Sequence, residues 1–126
     1  KSWLRIARET QCTLVLDEIY SRYIYTQRQS PTDALWRIVS AAQHVEDVNR
    51  DPVVILDGLT KCWRMPGLRI CWILAPKAVI DAVGAAGSFL DGGPSLPTQR
   101  ALVPLLHPKA VIEQTVMLQT LFSHKR

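Results

Sequence analysis

Cys12-Thr13-Leu14-Val15-Leu16, cut off by Asp17-Glu18-Ile19-Tyr20, is an apolar, β-branched run that ends on charge. Such a run reads as a buried strand. Val53-Val54-Ile55-Leu56, followed by Asp57-Gly58-Leu59-Thr60-Lys61, repeats the pattern, and Leu68-Arg69-Ile70-Cys71-Trp72-Ile73-Leu74 supplies a third strand. The first two runs are 36 residues apart, with room for a helix, which permits a parallel pair. The 11 residues from Asp57 to Gly67 are short for a parallel crossover. The third strand is therefore expected to run antiparallel to the second. The fold class is α/β: a mostly parallel sheet with one antiparallel strand and helices packed on it.

Working outward, Trp3, Leu4 and Ala7, with Arg5, Arg8 and Glu9 between them, read as the end of an amphipathic helix. Tyr20 to Pro31 is polar and aromatic without a period, and reads as a loop. Thr32-Asp33 predicts the cap of a short helix carrying Leu35, Trp36 and Val39, and the charged stretch Gln43 to Asp51 predicts a surface loop. Pro76 opens a helix, its fixed φ suiting the first turn. Val79, Ala82, Val83, Ala86, Phe89 and Leu90 give that helix one apolar face, and Asp91-Gly92-Gly93-Pro94 ends it. Leu96 to Leu106 predicts another helix, stopped near His107-Pro108. Val111, Ile112, Thr115, Leu118 and Phe122 mark a last one.

With 126 residues, 48% apolar and 21% charged, the chain has the composition of one ordinary globular domain, which excludes collagen, coiled coil and disorder. No apolar run approaches the ~18–20 residues of a membrane span, and no signal-peptide core follows Lys1. The net charge of +4 is spread over scattered side chains from Arg5 to Lys109, so neither nucleic acid nor a membrane is expected as a partner. Cys12, Cys62 and Cys71 are odd in number and form no CxxC pair. That disfavours zinc and disulfides and fits the reduced thiols of a cytoplasmic protein. The opening on Lys1 and the uncapped helical pattern at Arg126 lead us to expect a piece of a longer protein.

Ligands of open α/β sheets bind outside the carboxyl ends of the strands. Asp17 and Tyr20 follow the first strand and Lys61 follows the second. Arg69, one residue into a reversed third strand, is expected at the same rim. Each type has an ordinary use: Asp17 as a turn cap, Tyr20 as packing, Lys61 as a surface amine, Arg69 as a rim ion pair. Glu18 beside Asp17 is no acid–base pair, because adjacent strand residues point to opposite faces. His44, His107 and His124 have no partner at nucleophile or metal-ligand spacing.

Taken together and in this order, the motifs resemble class I/II aminotransferases, the fold type I pyridoxal-phosphate enzymes. Leu14 to Tyr20 resembles their Asp-x-x-Tyr strand end. Gly58-Leu59-Thr60-Lys61, then Met65-Pro66-Gly67-Leu68-Arg69 and Trp72, resembles their cofactor-lysine signature, and Pro76-Lys77 continues the match. The resemblance runs from Lys1 to about Leu121. It implies that residues 1–126 are the C-terminal half of the large cofactor-binding domain, without its N-terminal half and without the small C-terminal domain.

The resemblance also implies the chemistry. Lys61 resembles the catalytic lysine that holds pyridoxal 5'-phosphate as an internal aldimine and then moves a proton between the substrate α-carbon and the cofactor. Asp17 resembles the carboxylate paired with the ring nitrogen, Tyr20 the phenol on the ring oxygen, and Arg69 the guanidinium on the phosphate. The implied substrates are an amino acid and a 2-oxo acid, and the implied assembly is a homodimer whose loop Asp91 to Gln99 approaches the neighbouring active site. Gly58 stands where the family often has a serine on the phosphate, a place Thr60 fills in part at most. The phosphate cup, the ring-stacking aromatic and the substrate-carboxylate arginine belong to parts of the family outside these residues, so the chain alone is expected to be inactive. A lyase of the same fold, a cofactor-binding regulator and a truncated non-catalytic product remain alternatives.

Overall fold

Among the described residues, Val53–Gly58 (β2) lies at the centre of a three-stranded sheet, between Leu14–Asp17 (β1) and Cys71–Leu74 (β3). These elements belong to a computed structural model that describes residues 2–24 and 38–125. β1 and β2 pair in parallel, with Leu14 opposite Val53 and Asp17 opposite Leu56. The Leu59 amide, just past β2, donates to the Ile70 carbonyl, just before β3, at 3.0 Å. The end of one strand therefore meets the start of the next, as in an antiparallel pair. The sheet is mixed, as the strand spacing predicts.

The chain divides into two units. One comprises Lys1–Glu18, Ser40–Asp57 and Cys71–Pro94; the other comprises Ile19–Val39, Gly58–Ile70 and Ser95–Arg126. In the first unit, helix Ser2–Thr10 (α1) buries Leu4 and Ala7. Leu4, Val53 and Ile55 form the core, with Leu14, Leu16, Ala41 and Val45 packed around them. β2 is buried over Val53-Val54-Ile55, as a central strand must be. β1 is not buried throughout as its composition predicts: it alternates, and Val15 is 59% exposed. Among the described residues β1 pairs with β2 alone, and Leu14 and Leu16 are its side chains packed against the core.

Asp51 also departs from expectation. A 3-10 turn, Ala41–His44, overlaps the start of the predicted surface loop, which ends on a buried carboxylate. Arg8 grips Asp51 with two bonds, Nε to Oδ1 at 2.7 Å and Nη2 to Oδ2 at 2.9 Å. The Glu46 amide donates to Oδ2 at 2.8 Å. The hydrogen bond from Arg8, followed by burial acting the other way and then by the Glu46 and Asp47 amides, holds the Asp51 carboxyl down to about 2. Because this lies below the value of a free carboxyl, the unfolded chain binds the proton first. The stabilisation is complete above about pH 4 and is lost as pH falls through about 2. The thermal midpoint of the protein is therefore expected to fall between about pH 4 and pH 2. Asp51→Asn is expected to lower it at neutral pH and to flatten that acid limb. Parallel melting curves of the two proteins against pH check this.

Helix Lys77–Leu90 (α2) starts on Pro76, which offers no capping side chain. Asn49 supplies the cap instead, its Oδ1 accepting the Lys77 amide at 3.0 Å. The apolar face expected on α2 is present in sequence, but none of its residues is buried among the described residues; Phe89 is 95% exposed. Asp91 ends the helix, and Gly92 and Gly93 follow at φ 72° and 80°, where a side chain would be strained.

In the second unit, helix Leu96–Leu102 (α3) passes into a 3-10 turn, Val103–Leu106, and helix Pro108–Lys125 (α4) follows, close to the predicted spans. α4 buries Thr115, Leu118 and Gln119. The short helix expected at Thr32-Asp33 with Leu35 and Trp36 lies outside the described residues. Among the described residues no helix is long and apolar enough to cross a membrane. Cys12 and Cys71 are exposed and Cys62 is buried.

Candidate active site

Leu59 anchors the loop that carries Lys61. It is fully buried, its amide donates to Ile70 O, and its carbonyl accepts the Met65 amide at 3.1 Å. Cys62 and Trp63 are each 2% exposed, and Lys61 between these anchors is exposed. The loop thus buries apolar residues on both sides of one outward amine. The Arg64 amide donates to Lys61 O at 3.0 Å and closes the turn, with Arg64 at φ 56°.

Tyr20 belongs to the same unit. The Tyr23 amide donates to Tyr20 O at 2.9 Å, making a turn that places the two rings on one side. The Tyr20 ring centroid lies 5.8 Å from Lys61 Nζ, within reach of a cation–π attraction. The rim therefore brings together a phenol and an amine. Tyr23 was not singled out from sequence; its signal is the three-residue spacing from Tyr20. Its Oη donates to Lys61 O at 3.1 Å, and its ring stands edge-on to Tyr20 at 5.6 Å and to Phe122 of α4 at 5.2 Å. The thiol of Cys62 donates to Ile19 O at 3.1 Å, and the Arg22 guanidinium stacks on Trp63 at 4.5 Å.

Arg69 corrects the sequence reading. It does not lie inside the third strand, which begins at Cys71. Pro66–Leu68 form a 3-10 turn, because the ring of Pro66 holds a helical φ, and Arg69 caps it in the left-handed region at φ 52°. That backbone cannot continue into an extended strand. The side chain is exposed, and Nη1 donates to Pro66 O at 3.1 Å. A non-glycine residue at positive φ is strained, and Gln11 and Arg64 share this conformation at φ 54° and 56°.

Asp17 sits at the last position of β1, opposite Leu56, and is exposed. Glu18 has a different task. Its amide donates to Leu56 O at 2.8 Å, and its Oε1 accepts the Ala41 amide at 2.7 Å, which ties the 3-10 turn to the sheet. A cleft of about 500 Å³ in the first unit is lined by Arg5, Arg8, His44 and Glu46 among others, and holds none of these candidates. Its cations are already engaged, Arg8 with Asp51 and Glu46, Arg5 with Glu9. Among the described residues no cluster of His, Cys, Asp or Glu could hold a metal ion.

The donor set fits a phosphorylated aldehyde. Lys61 has no ion-pair partner among the described residues and can reach a carbonyl. Arg69 spends one N–H on a neutral carbonyl and keeps the rest of its fork for an anion.

Comparison with solved structures finds the same fold. Aspartate aminotransferase of Thermus thermophilus, a double mutant, superimposes with a TM-score of 0.73 at 22% identity, over 94% of this chain and 28% of that one. The aromatic aminotransferase of Pyrococcus horikoshii gives a TM-score of 0.75 at 18% identity, over 94% and 29%. N-succinyldiaminopimelate aminotransferase of Mycobacterium tuberculosis gives 0.72 at 19% identity, over 99% and 29%. The chain thus spans less than a third of the length of these proteins. Comparison with curated proteins gives no match. The profile of aminotransferase class I and II matches residues 1–126 from end to end, and the chain belongs to that family.

Proposed function

We propose that this segment carries the cofactor-holding lysine face of a pyridoxal-phosphate aminotransferase that moves an amino group between an amino acid and a 2-oxo acid. The supporting observation is the Lys61–Tyr20 pair: an exposed amine on a buried, clamped turn, 5.8 Å from a phenol ring. The family is pyridoxal-phosphate-dependent. The cofactor supplies, when bound, a protonated ring that delocalises the electron pair left at the substrate α-carbon. Lys61 would hold the cofactor at its aldehyde carbon, and its free amine would move a proton at the substrate α-carbon. Asp17 would keep the ring nitrogen protonated, Tyr20 would hydrogen-bond the ring oxygen, and Arg69 would hold the phosphate. A homodimer is the proposed assembly of the complete protein, and the 126-residue chain alone is expected to show little or no turnover of an amino acid.

Borohydride reduction of the loaded, full-length protein followed by peptide mapping tests the reading. A pyridoxyl label on Lys61 supports it, and a label on Lys77 or Lys109 overturns it. Arg69→Gly adds a second check with two opposite signs. Glycine accepts the left-handed backbone, so thermal stability is expected to hold or rise within about 1 kcal/mol. Loss of charged hydrogen bonds to phosphate is expected to weaken cofactor binding by about 10- to 100-fold. Cofactor titration and melting of the same sample measure both.

A further inference from the structure

We propose that Tyr23 is the positioning residue of the lysine turn, its hydroxyl holding the main chain of Lys61 and its ring holding the ring of Tyr20. The inference rests on the reading of Lys61 and Tyr20 given above and deepens it. Tyr23 touches both members of the pair through different atoms. Oη donates to Lys61 O at 3.1 Å, the carbonyl that also accepts the Arg64 amide. The ring packs edge-on against Tyr20 on one side and Phe122 on the other, 5.6 Å and 5.2 Å between centroids. A second tie runs the opposite way, from Cys62 Sγ to Ile19 O at 3.1 Å. The turn of Tyr20 and the turn of Lys61 are therefore cross-linked at two adjacent points.

A lysine amine rides on a flexible four-carbon stem, so its approach is set by the backbone that launches it. Misplacing a reacting group by about 1 Å can cost on the order of 100-fold in rate. Tyr23 sets that launch point and, through edge-on packing, the plane of the phenol opposite. Removing the hydroxyl alone separates the first task from the second.

In the full-length protein without cofactor, hydrogen exchange is followed by mass spectrometry over residues 61–64, with 53–57 of β2 as the internal control. Tyr23→Phe is expected to speed exchange at 61–64 by about 3- to 10-fold and to leave 53–57 unchanged. Loaded with pyridoxal 5'-phosphate, the same variant is expected to release it about 3- to 10-fold faster. Tyr23→Leu, which also removes the ring, is expected to reduce the circular-dichroism band of the bound cofactor, whereas Tyr23→Phe keeps it. Unchanged exchange and unchanged release in Tyr23→Phe overturn the proposal. So does uniform acceleration that includes 53–57, the mark of a general structural role. A borohydride label away from Lys61 in the unaltered protein overturns the reading of the site instead; a label on Lys61 with no effect of Tyr23→Phe overturns the tie alone.

Discussion

Lys61→Ala in the full-length protein is expected to lower kcat on the order of 10⁴-fold while leaving thermal stability within about 1 kcal/mol of the parent. The two halves of this expectation have separate causes. Lys61 is exposed, and the fold of its loop rests on Leu59, Cys62 and Trp63, whose side chains are buried. Truncating Lys61 removes a weak attraction to the Tyr20 ring, about 0.5–1 kcal/mol at an exposed site, and no packing. The amine, by contrast, has two proposed tasks, binding the aldehyde carbon and moving the α-proton. Positioned acid–base catalysis alone contributes about 10²–10⁴-fold. Lys61→Arg is expected to fare no better, since a guanidinium keeps the charge but is effectively never deprotonated. Steady-state turnover of an amino acid with a 2-oxo acid, beside melting curves, measures both halves. A variant that keeps a tenth of the parental kcat removes Lys61 from the chemistry.

The strands and helices were legible because their signals are local. Val53 to Leu56 is apolar without interruption and ends at Asp57-Gly58, and β2 is the buried central strand. The reversed third strand followed from a short connection, and the Leu59–Ile70 hydrogen bond shows the ends meeting. What stayed hidden depends on packing and backbone sign. Composition does not show which face of a strand packs, so β1 read as buried although Val15 is exposed and only Leu14 and Leu16 pack on the core among the described residues. A positive φ at Arg69 leaves no mark in a run of strand-forming residues, and the reading extended the strand three residues too far. Asp51 looked like one more surface charge because its partner, Arg8, is 43 residues away. Tyr23 fell in a stretch read as a loop: its spacing from Tyr20 is local, but its hydrogen bond to a carbonyl 38 residues downstream is not.

Asp17 is the second position where a large effect is expected. Asp17→Asn should lower kcat by about 10²–10³-fold with KM and cofactor content little changed, the range seen when one preorganised electrostatic partner is lost. Asparagine matches aspartate in size and still hydrogen-bonds, so the end of β1 and its register opposite Leu56 should survive. What it lacks is the negative charge that, in the proposed site, would keep a ring nitrogen protonated as charge builds up in the transition state. An interaction that strengthens on the way to the transition state appears in kcat, whereas one that is uniform appears in KM. The pattern of loss therefore identifies the role as well as the residue. Asp17→Glu restores the charge on a stem one methylene longer and should recover part of the rate. If Asp17→Asn instead raises KM with kcat intact, Asp17 serves substrate binding, and the ring-nitrogen assignment fails while Lys61 keeps its own. If both constants stay within threefold of the parent, Asp17 is an exposed strand terminus with no part in the site.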